Sequence, residues 1–349
     1  SLFIIRIDMN LQTKVNITAP DFMIDYSSKL MMLGSCFAEN MGGKFSYYKF
    51  DVDVNPCGIV YNPRSVANVL RLIVEGKKFG KEDLMQVGDK WVSLFHHGAF
   101  SSTDQEECLD KINRRLARAT EEIRSVDLLV ITWGTAWVYR HTGKDVVVSN
   151  CHKIPSQDFE RYRLNVEEIV KEYTELIGSL QKVNPGMRVL FTVSPIRHWK
   201  DGAHGNQLSK ATLLLAIDQL REKLNNVYYF PAYEIVLDEL RDYRFYADDM
   251  LHMSSLTIDY TWERFLYSFI SPEVLGLMNR IGRINKAVAH RPFDPASNDY
   301  QRLVKNLLTE IVAISRSFPS IDFSEEERSM AGELMRRISE HAMHAIGRR

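Results

Sequence analysis

Cysteine is scarce in this sequence: four of its 349 residues are cysteines, at positions 36, 57, 108 and 151. No two of them form a Cys-x-x-Cys pair, which argues against a zinc ribbon and a dense disulfide framework and predicts reduced thiols in a reducing compartment. The histidines show neither His-x-x-x-His nor His-Glu-x-x-His spacing. We therefore expect no catalytic metal and no cofactor.

An excess of charge and a long apolar run are also lacking. Lysine and arginine total 44 against 45 acidic residues, so the chain has no global field to attract nucleic acid or an anionic membrane. The opening SLFIIRID has too few consecutive apolar residues for a signal peptide or a membrane span. As given, the chain is expected to be cytoplasmic; Met9 could be the initiator, and a longer precursor could equally have lost a signal peptide.

What the sequence does contain is a series of short, very apolar runs, each followed by a turn and a helical pattern. They are LMMLGS (30–35), VDLLVIT (126–132), MRVLFTVSP (187–195) and VYYFPAY (227–233), with a further strand expected around Tyr48 to Val54. Runs that are apolar on both faces are typical of buried parallel strands. Strands alternating with helices predict a three-layer α/β/α sandwich with a mainly parallel sheet.

Helix signals and the end of the strand pattern give the domain organisation. A capping box predicts a helix from Thr103 to about Ser125, and Ser324 with Glu327 predicts the start of the last helix. Basic residues follow in or after this last helix: Arg336, Arg337, Arg348 and Arg349. We expect a domain over 1–282 and a C-terminal helical extension over 283–349. The extension could cover the sheet, close over a site or form a dimer interface, and the oligomeric state stays open.

The run GSCFAENMGG (34–43) contains the first candidate for chemistry. Gly34 allows a tight turn after the first strand, and Ser35 would then stand at the start of a helix running to about Phe45. Backbone N–H groups at a helix N-terminus stabilise a developing oxyanion, so Ser35 could be a nucleophile. It could equally be a helix cap.

A serine nucleophile needs a base, and ADDMLHMS (247–254) supplies a histidine with an acid three residues before it. Asp249 could bond Nδ1 of His252 and leave Nε2 to take the serine proton. Asp248 is adjacent and could be the acid instead. An incidental pair in a surface turn is the alternative.

Other candidates end the remaining strands. Gly58, in NPCGIVYNP (55–63), and Thr135, in TWGTAW (132–137), could donate to an oxyanion, although the first segment is also ordinary turn chemistry. Arg197 and His198 could contact substrate or support a lid, or be structural. The two tryptophans beside Thr135, Trp133 and Trp137, could stack on a sugar or belong to the core.

Cys36 raises a second possibility for the nucleophile. A helix N-terminus lowers the pKa of a thiol, so Cys36 with His252 could form a thiol enzyme. One step along a helix turns a side chain by about 100°, however, so Ser35 and Cys36 are expected to face different sites.

Five segments, in order, resemble the GSCFA family of the SGNH (GDSL-like) hydrolases over roughly residues 17 to 270. They are GSCFA (34–38), NPCGIVYNP (55–63), TWGTAWVY (132–139), SPIRH (194–198) and DMLHMS (249–254). The resemblance implies a flavodoxin-like sandwich and ester hydrolysis. It also implies that Ser35 is the nucleophile, that His252 and Asp249 complete the triad, and that the N–H groups of Ser35 and Gly58 form part of an oxyanion hole.

The third segment departs from the superfamily pattern, which has asparagine where this chain has Ala136. Thr135 or Asn62 could supply the missing donor; Met253 replaces a common proline without affecting the reacting atoms. The resulting hypothesis is a serine ester hydrolase that removes a small acyl group, most simply O-acetyl, from a carbohydrate or cell-envelope glycan. The alternatives are a non-catalytic glycan-binding module and a thiol hydrolase using Cys36.

Overall fold

A computed structural model describes residues 12–290 and 297–330. Met9 and the four arginines after position 331 lie outside the described residues. Those that are described form two units. The first contains Lys29–Gly42 and Val52–Phe269 with the segment ending at Asp21, and the second contains Phe22–Ser28, Gly43–Asp51 and the chain from Ile270 onward.

Strands and helices follow one another along the described chain. The strands are β1 Lys29–Gly34, β2 Asp51–Val54, β3 Met85–Val87, β4 Lys90–Val92, β5 Leu128–Trp133, β6 Trp137–His141, β7 Val146–Val147, β8 Phe159–Arg163, β9 Arg188–Val193 and β10 Val227–Tyr229. The helices are α1 Cys36–Tyr47, α2 Pro63–Glu75, α3 Gln105–Glu122, α4 Val166–Val183, α5 Gly202–Lys223, α6 Ala232–Glu234, α7 Ser255–Phe269, α8 Pro272–Ala289 and α9 Asn298–Ser317.

A five-stranded sheet in the order β10-β9-β5-β1-β2 is the centre of the fold. Strands β1, β5, β9 and β10 pair in parallel, with Leu30 opposite Leu128 and Leu128 opposite Arg188. Every residue of β5 is buried, which explains why its run is apolar without alternation. When the five strands of this sheet are numbered along the chain, their order across the sheet is 2-1-3-4-5, which is the flavodoxin-like arrangement. The predicted fold class, a mainly parallel sheet flanked by helices, is confirmed.

Amphipathic helices cover the sheet and supply the rest of the core. Helix α2 packs against α3 and α4, and α4 packs against α5, which also contacts β9 and β10. The buried residues of α5 recur every three or four positions and include Leu213, Ala216, Ile217 and Leu220. That period is typical of a helix with one buried face.

Two smaller sheets stand beside the central one. Strands β3 and β4 form a hairpin, and β7-β6-β8 form an antiparallel sheet in which Tyr139 lies opposite Arg161. Strand β6 begins four residues after β5 ends. The three-stranded sheet therefore places side chains of β6 and β8 close to the carboxyl end of β5.

Helix starts differ in detail from the sequence predictions. Asp104, rather than Thr103, caps α3, because its Oδ1 accepts the N–H groups of Glu106 and Glu107 at 2.8 and 3.2 Å. The helix predicted from Ser324 does begin there: the N–H of Glu327 donates to the carbonyl oxygen of Phe323 at 2.9 Å, and the N–H of Ser324 donates to Asp322 at 2.8 Å. At both helix starts an Asp side chain accepts backbone N–H groups, as its strength as an acceptor favours.

Helices α8 and α9 belong to the second unit. Tyr26 stacks on Phe50 with ring centroids 4.4 Å apart, and Lys49 pairs with Glu326 at 2.7 Å. Helix α8 runs through position 282, where the sequence suggested a domain boundary, and the division into 1–282 and 283–349 stays a prediction. Across 12–290 and 297–330, no helix has the length and apolarity needed to cross a membrane.

Candidate active site

Ser35 stands at the point where the first strand becomes a helix. Gly34 has φ +143°, and a Cβ there would lie 2.2 Å from the carbonyl oxygen of Thr132, so only glycine fits this turn. The Ser35 hydroxyl accepts the N–H of Phe37 at 3.3 Å and is only 2% exposed. Ser35 is therefore a helix cap, and because it uses a lone pair for this, its proton stays available for a base.

The loop after the last strand orients a histidine. Nδ1 of His252 lies 2.5 Å from Oδ2 of Asp249, whose other oxygen accepts the N–H groups of His252 and Leu251 at 2.8 and 3.0 Å. These three bonds lower the pKa of Asp249 to about 2. The carboxylate is therefore ionised at neutral pH and holds the imidazole with Nε2 free of this contact. Asp249, rather than Asp248, is the acid beside His252.

One cavity of about 470 Å³ brings the sequence candidates together. Ser35 and His252 line it. So do Cys36, next to Ser35, and residues that follow three other strands: Asn62, Thr135, Arg197 and His198. Parallel strands end at a common edge, which is why residues far apart in sequence meet here.

Gly58 has a different environment from the one expected. Its N–H donates to the carbonyl oxygen of Asn55 at 2.8 Å, so that proton is engaged in a turn. Gly58 has φ +82°, and a Cβ there would lie 2.2 Å from Cβ of His97. The glycine is required by the turn and by the close approach of His97, and in this conformation its N–H does not serve an oxyanion.

Asn62 and Thr135 are the polar side chains best placed to donate into the cavity. Oδ1 of Asn62 caps α2 by accepting the N–H of Ser65 at 2.8 Å, and its Nδ2 has no hydrogen-bond partner among the described residues. Oγ1 of Thr135 accepts the N–H of Trp137 at 3.2 Å and lies 3.1 Å from the hydroxyl of Ser209. When Ser209 is the donor of that pair, the Thr135 proton is free. The Ser35 N–H lies 3.4 Å from the carbonyl oxygen of Thr132, a weak bond.

His198 and Arg197 differ in charge. Burial and the nearby Lys210 lower the pKa of His198 to about 4, so its ring is neutral at pH 7 and meets the edge of Tyr61 at 5.8 Å. Arg197 forms no ion pair with any described residue. It also lines a neighbouring cavity of about 490 Å³, which Asp249 lines as well. Arg197 is therefore a cation without an ion-pair partner in the described chain, beside the loop that holds Asp249 and His252.

The structure separates the two tryptophans. Trp133 is fully buried, donates its indole N–H to Tyr173 at 3.2 Å, and belongs to the core. Trp137 lines the cavity, and the guanidinium of Arg161 lies 4.3 Å from its ring centroid. One face of the Trp137 ring is thus occupied by a cation.

Cys36 corrects one sequence expectation. It lines the same cavity as Ser35, with Sγ 4.0 Å from the hydroxyl of Tyr61, although the helical rotation had been expected to turn the two residues toward different sites. Burial, with a smaller contribution from Cys36, raises the pKa of Tyr61 to about 12. Tyr61 is therefore a neutral phenol against the thiol.

Lys210 is an internal residue that the sequence reasoning missed. It is fully buried on α5, and its Nζ donates to the carbonyl oxygens of Gly134 and Ser194 at 2.6 Å each. Burial is the main cause that lowers its pKa to about 7. The buried period of α5, extended backward from Leu213, reaches Lys210, Ser209 and Asn206. That period was the signal that could have found these residues.

The fold and the site together define a doubly wound α/β protein. In it, a serine that caps a helix and a histidine that is oriented by an aspartate line one cavity. The chain belongs to the GSCFA family: the model of that family matches residues 29–265. Residues 281–335 match the model of the GSCFA domain protein, C-terminal domain.

Solved structures with some likeness to this chain are carbohydrate esterases. An acetyl xylan esterase from the rumen bacterium Butyrivibrio proteoclasticus is 11% identical with a TM-score of 0.36, over 73% of this chain and 65% of that one. A carbohydrate esterase family 3 protein from Talaromyces cellulolyticus is 11% identical with a TM-score of 0.33, over 72% and 98%. A family two carbohydrate esterase from Clostridium thermocellum, in complex with cellohexaose, is 13% identical with a TM-score of 0.33, over 75% and 67%.

This chain spans 65%, less than two thirds, of the length of the Butyrivibrio esterase. Among curated proteins the comparison found no match.

Proposed function

We propose that this protein is a serine ester hydrolase that removes a small acyl group, most simply O-acetyl, from a carbohydrate or cell-envelope glycan. The observation that carries the proposal is the shared cavity: Ser35, at a helix N-terminus, and His252, held by Asp249, both line it. This is the set of parts that acyl transfer through an activated serine needs.

Each residue of the triad has one task. Oγ of Ser35 attacks the ester carbonyl carbon while Nε2 of His252 takes the hydroxyl proton. The tetrahedral intermediate collapses by breaking the bond between the carbonyl carbon and the sugar oxygen, and His252 gives its proton to that oxygen, which leaves as a sugar hydroxyl. Water then attacks the acyl-serine while His252 takes a proton from it; the bond to Oγ breaks, His252 gives the proton to Oγ of Ser35, and the carboxylic acid leaves. Asp249 stabilises the imidazolium that exists between these transfers.

The oxyanion of the tetrahedral intermediate needs hydrogen-bond donors. We propose that the N–H of Ser35, Nδ2 of Asn62 and the Thr135 hydroxyl donate to it. Gly58 contributes only in a conformation in which its N–H leaves the carbonyl of Asn55. Each lost donor typically costs about 10² to 10³ in rate, so the choice of donors sets the catalytic power.

The first experiment measures turnover and covalent labelling. Hydrolysis of p-nitrophenyl acetate and of an acetylated xylo-oligosaccharide is followed for wild type, Ser35→Ala and Cys36→Ala, with intact-mass detection of a fluorophosphonate adduct. Turnover and adduct that disappear only in Ser35→Ala support the serine mechanism. A wild type that neither turns over an ester nor labels contradicts it and favours a glycan-binding module.

A thiol hydrolase is the second candidate, because Cys36 lines the same cavity as Ser35. The same variants distinguish the two nucleophiles. Under the thiol mechanism Cys36→Ala abolishes turnover and Ser35→Ala keeps a substantial part of it. Under the serine mechanism the order is reversed.

A further inference from the structure

The cavity that contains Ser35 has more positive than negative side chains along its wall. Arg161, Arg197 and Lys200 line it, with Asp201 as the lining carboxylate. The other titratable ring beside them, His198, is neutral at pH 7 because burial lowers its pKa to about 4. The ester itself is neutral, so this excess charge is not needed to hold it.

Arg161 and Asp201 form an ion pair that leaves hydrogen-bonding groups unused. The Arg161 guanidinium donates to Oδ1 of Asp201, whose side chain is only 2% exposed. Nε of Arg161 and Oδ2 of Asp201 are buried and have no partner among the described residues. Buried groups of this kind cost free energy unless something such as a water molecule satisfies them. Because Asp201 offsets the charge of Arg161, the excess positive charge of the wall belongs to Arg197 and Lys200.

Aromatic rings hold two of the cations in fixed positions. The Arg161 guanidinium lies 4.3 Å from the ring centroid of Trp137 and 5.3 Å from that of Tyr139. Nζ of Lys200 donates to the Tyr139 hydroxyl at 2.7 Å. Neither Lys200 nor Arg197 pairs with a carboxylate in the described part of the chain. By contrast, Arg140 on the same β6 strand pairs with both Asp145 and Glu160.

We propose that Arg197 and Lys200, beside the Arg161–Asp201 ion pair, form a subsite for an anionic group, a carboxylate or a phosphate, on the molecule that carries the ester. The proposal rests on the proposed function, since it assigns the substrate class of the same cavity. Arginine and lysine are the side chains that bind such anions through charge-assisted hydrogen bonds. The substrate is therefore an acylated acidic sugar rather than a neutral one.

The test uses sugars that contain no ester and differ in charge. D-glucuronate and D-glucose 6-phosphate are compared with D-glucose as competitive inhibitors of p-nitrophenyl acetate hydrolysis. We expect at least one anion to bind about tenfold or more tightly than glucose, because it gains charge-assisted hydrogen bonds. The advantage should shrink as salt is raised from about 20 to about 300 mM, since exposed charges are screened. The tighter of the two anions identifies carboxylate or phosphate.

Variants locate the effect. The double variant R197Q K200Q should lose the preference for the anions, and R197K, which keeps the charge, should retain most of it. R197Q alone should lose part of the preference, and R124Q is its matched control, because it removes one positive charge from an exposed residue before β5, at the opposite end of that strand. Thermal unfolding of each variant shows whether it is folded.

The outcomes separate this proposal from the proposed function. Equal affinity for glucose and both anions overturns the subsite even if esters are hydrolysed, and so does an anion preference that survives in a folded R197Q K200Q. If no ester is hydrolysed, the three sugars are titrated into wild type by calorimetry. Selective anion binding there supports the subsite while the esterase proposal fails, and equal binding of all three overturns both.

Discussion

Replacing Gly34 with alanine tests whether the turn before Ser35 is as tight as the structure shows. The new Cβ would lie 2.2 Å from the carbonyl oxygen of Thr132, where real Cβ atoms stay beyond 3.0 Å. A φ of +143° adds strain of roughly 1–3 kcal/mol for a residue with a side chain. Parting β1 from β5 at this point also weakens backbone hydrogen bonds, each contributing about 1 kcal/mol.

The sum predicts a loss of about 3–5 kcal/mol in the free energy of unfolding, measured by urea denaturation. Esterase activity should fall further than stability alone explains, because Ser35 moves with the strand end. Gly43→Ala is the control in the same motif: its Cβ meets nothing within 4 Å, and alanine in helix α1 should stabilise by up to about 1 kcal/mol. A Gly34→Ala protein that keeps wild-type stability and activity would refute the described turn.

Three further predictions concern the site. Asp249→Asn should lower kcat about 10² to 10⁴-fold with little change in KM, because the imidazole loses its oriented tautomer; an unchanged kcat would remove Asp249 from the triad. Thr135→Val should lower kcat about 10² to 10³-fold and Thr135→Ser should restore most of it; equal rates in both would exclude the hydroxyl as a donor. Since the folded pKa of His198 is about 4 and its unfolded value is near 6.5, stability should fall as pH drops from about 6.5 to 4, by up to about 1.4 kcal/mol per unit. His198→Gln should flatten that slope in urea titrations, and an unaltered slope would contradict the assignment.

Features that are local in sequence were predictable. Strands β1, β5 and β9 are buried on both faces, so their residues are apolar without interruption and the periodicity indicates them directly. Asp249 and His252 are three residues apart, and a loop can close that contact whatever surrounds it. The position of Ser35 follows from the same logic, because a glycine after an apolar strand and before a helix leaves little choice of turn.

Features that depend on pairing across the fold were not predictable. Arg161 and Asp201 are 40 residues apart, and no pattern in either segment indicates the other. Lys210 bonds the ends of β5 and β9, which requires knowing that these strands are neighbours. Gly58 is the opposite case. The sequence suggests a glycine that brings its N–H to an oxyanion, whereas in the structure glycine is needed for the turn to Asn55 and for the close approach of His97.

The environment of Ala136, which stands where the superfamily pattern has asparagine, explains why that donor cannot simply be restored. Ala136 is fully buried, and its N–H donates to the hydroxyl of Ser209 at 2.8 Å. Ala136→Asn would therefore place an amide in the core, and the cost of an overpacked, unsatisfied polar group is typically about 1–3 kcal/mol. We expect this variant to lose stability in urea denaturation without gaining kcat. A rise in kcat of tenfold or more would instead show that an amide at position 136 supplies a donor that the wild-type site is missing. It would then follow that Nδ2 of Asn62 does not do this in the wild type.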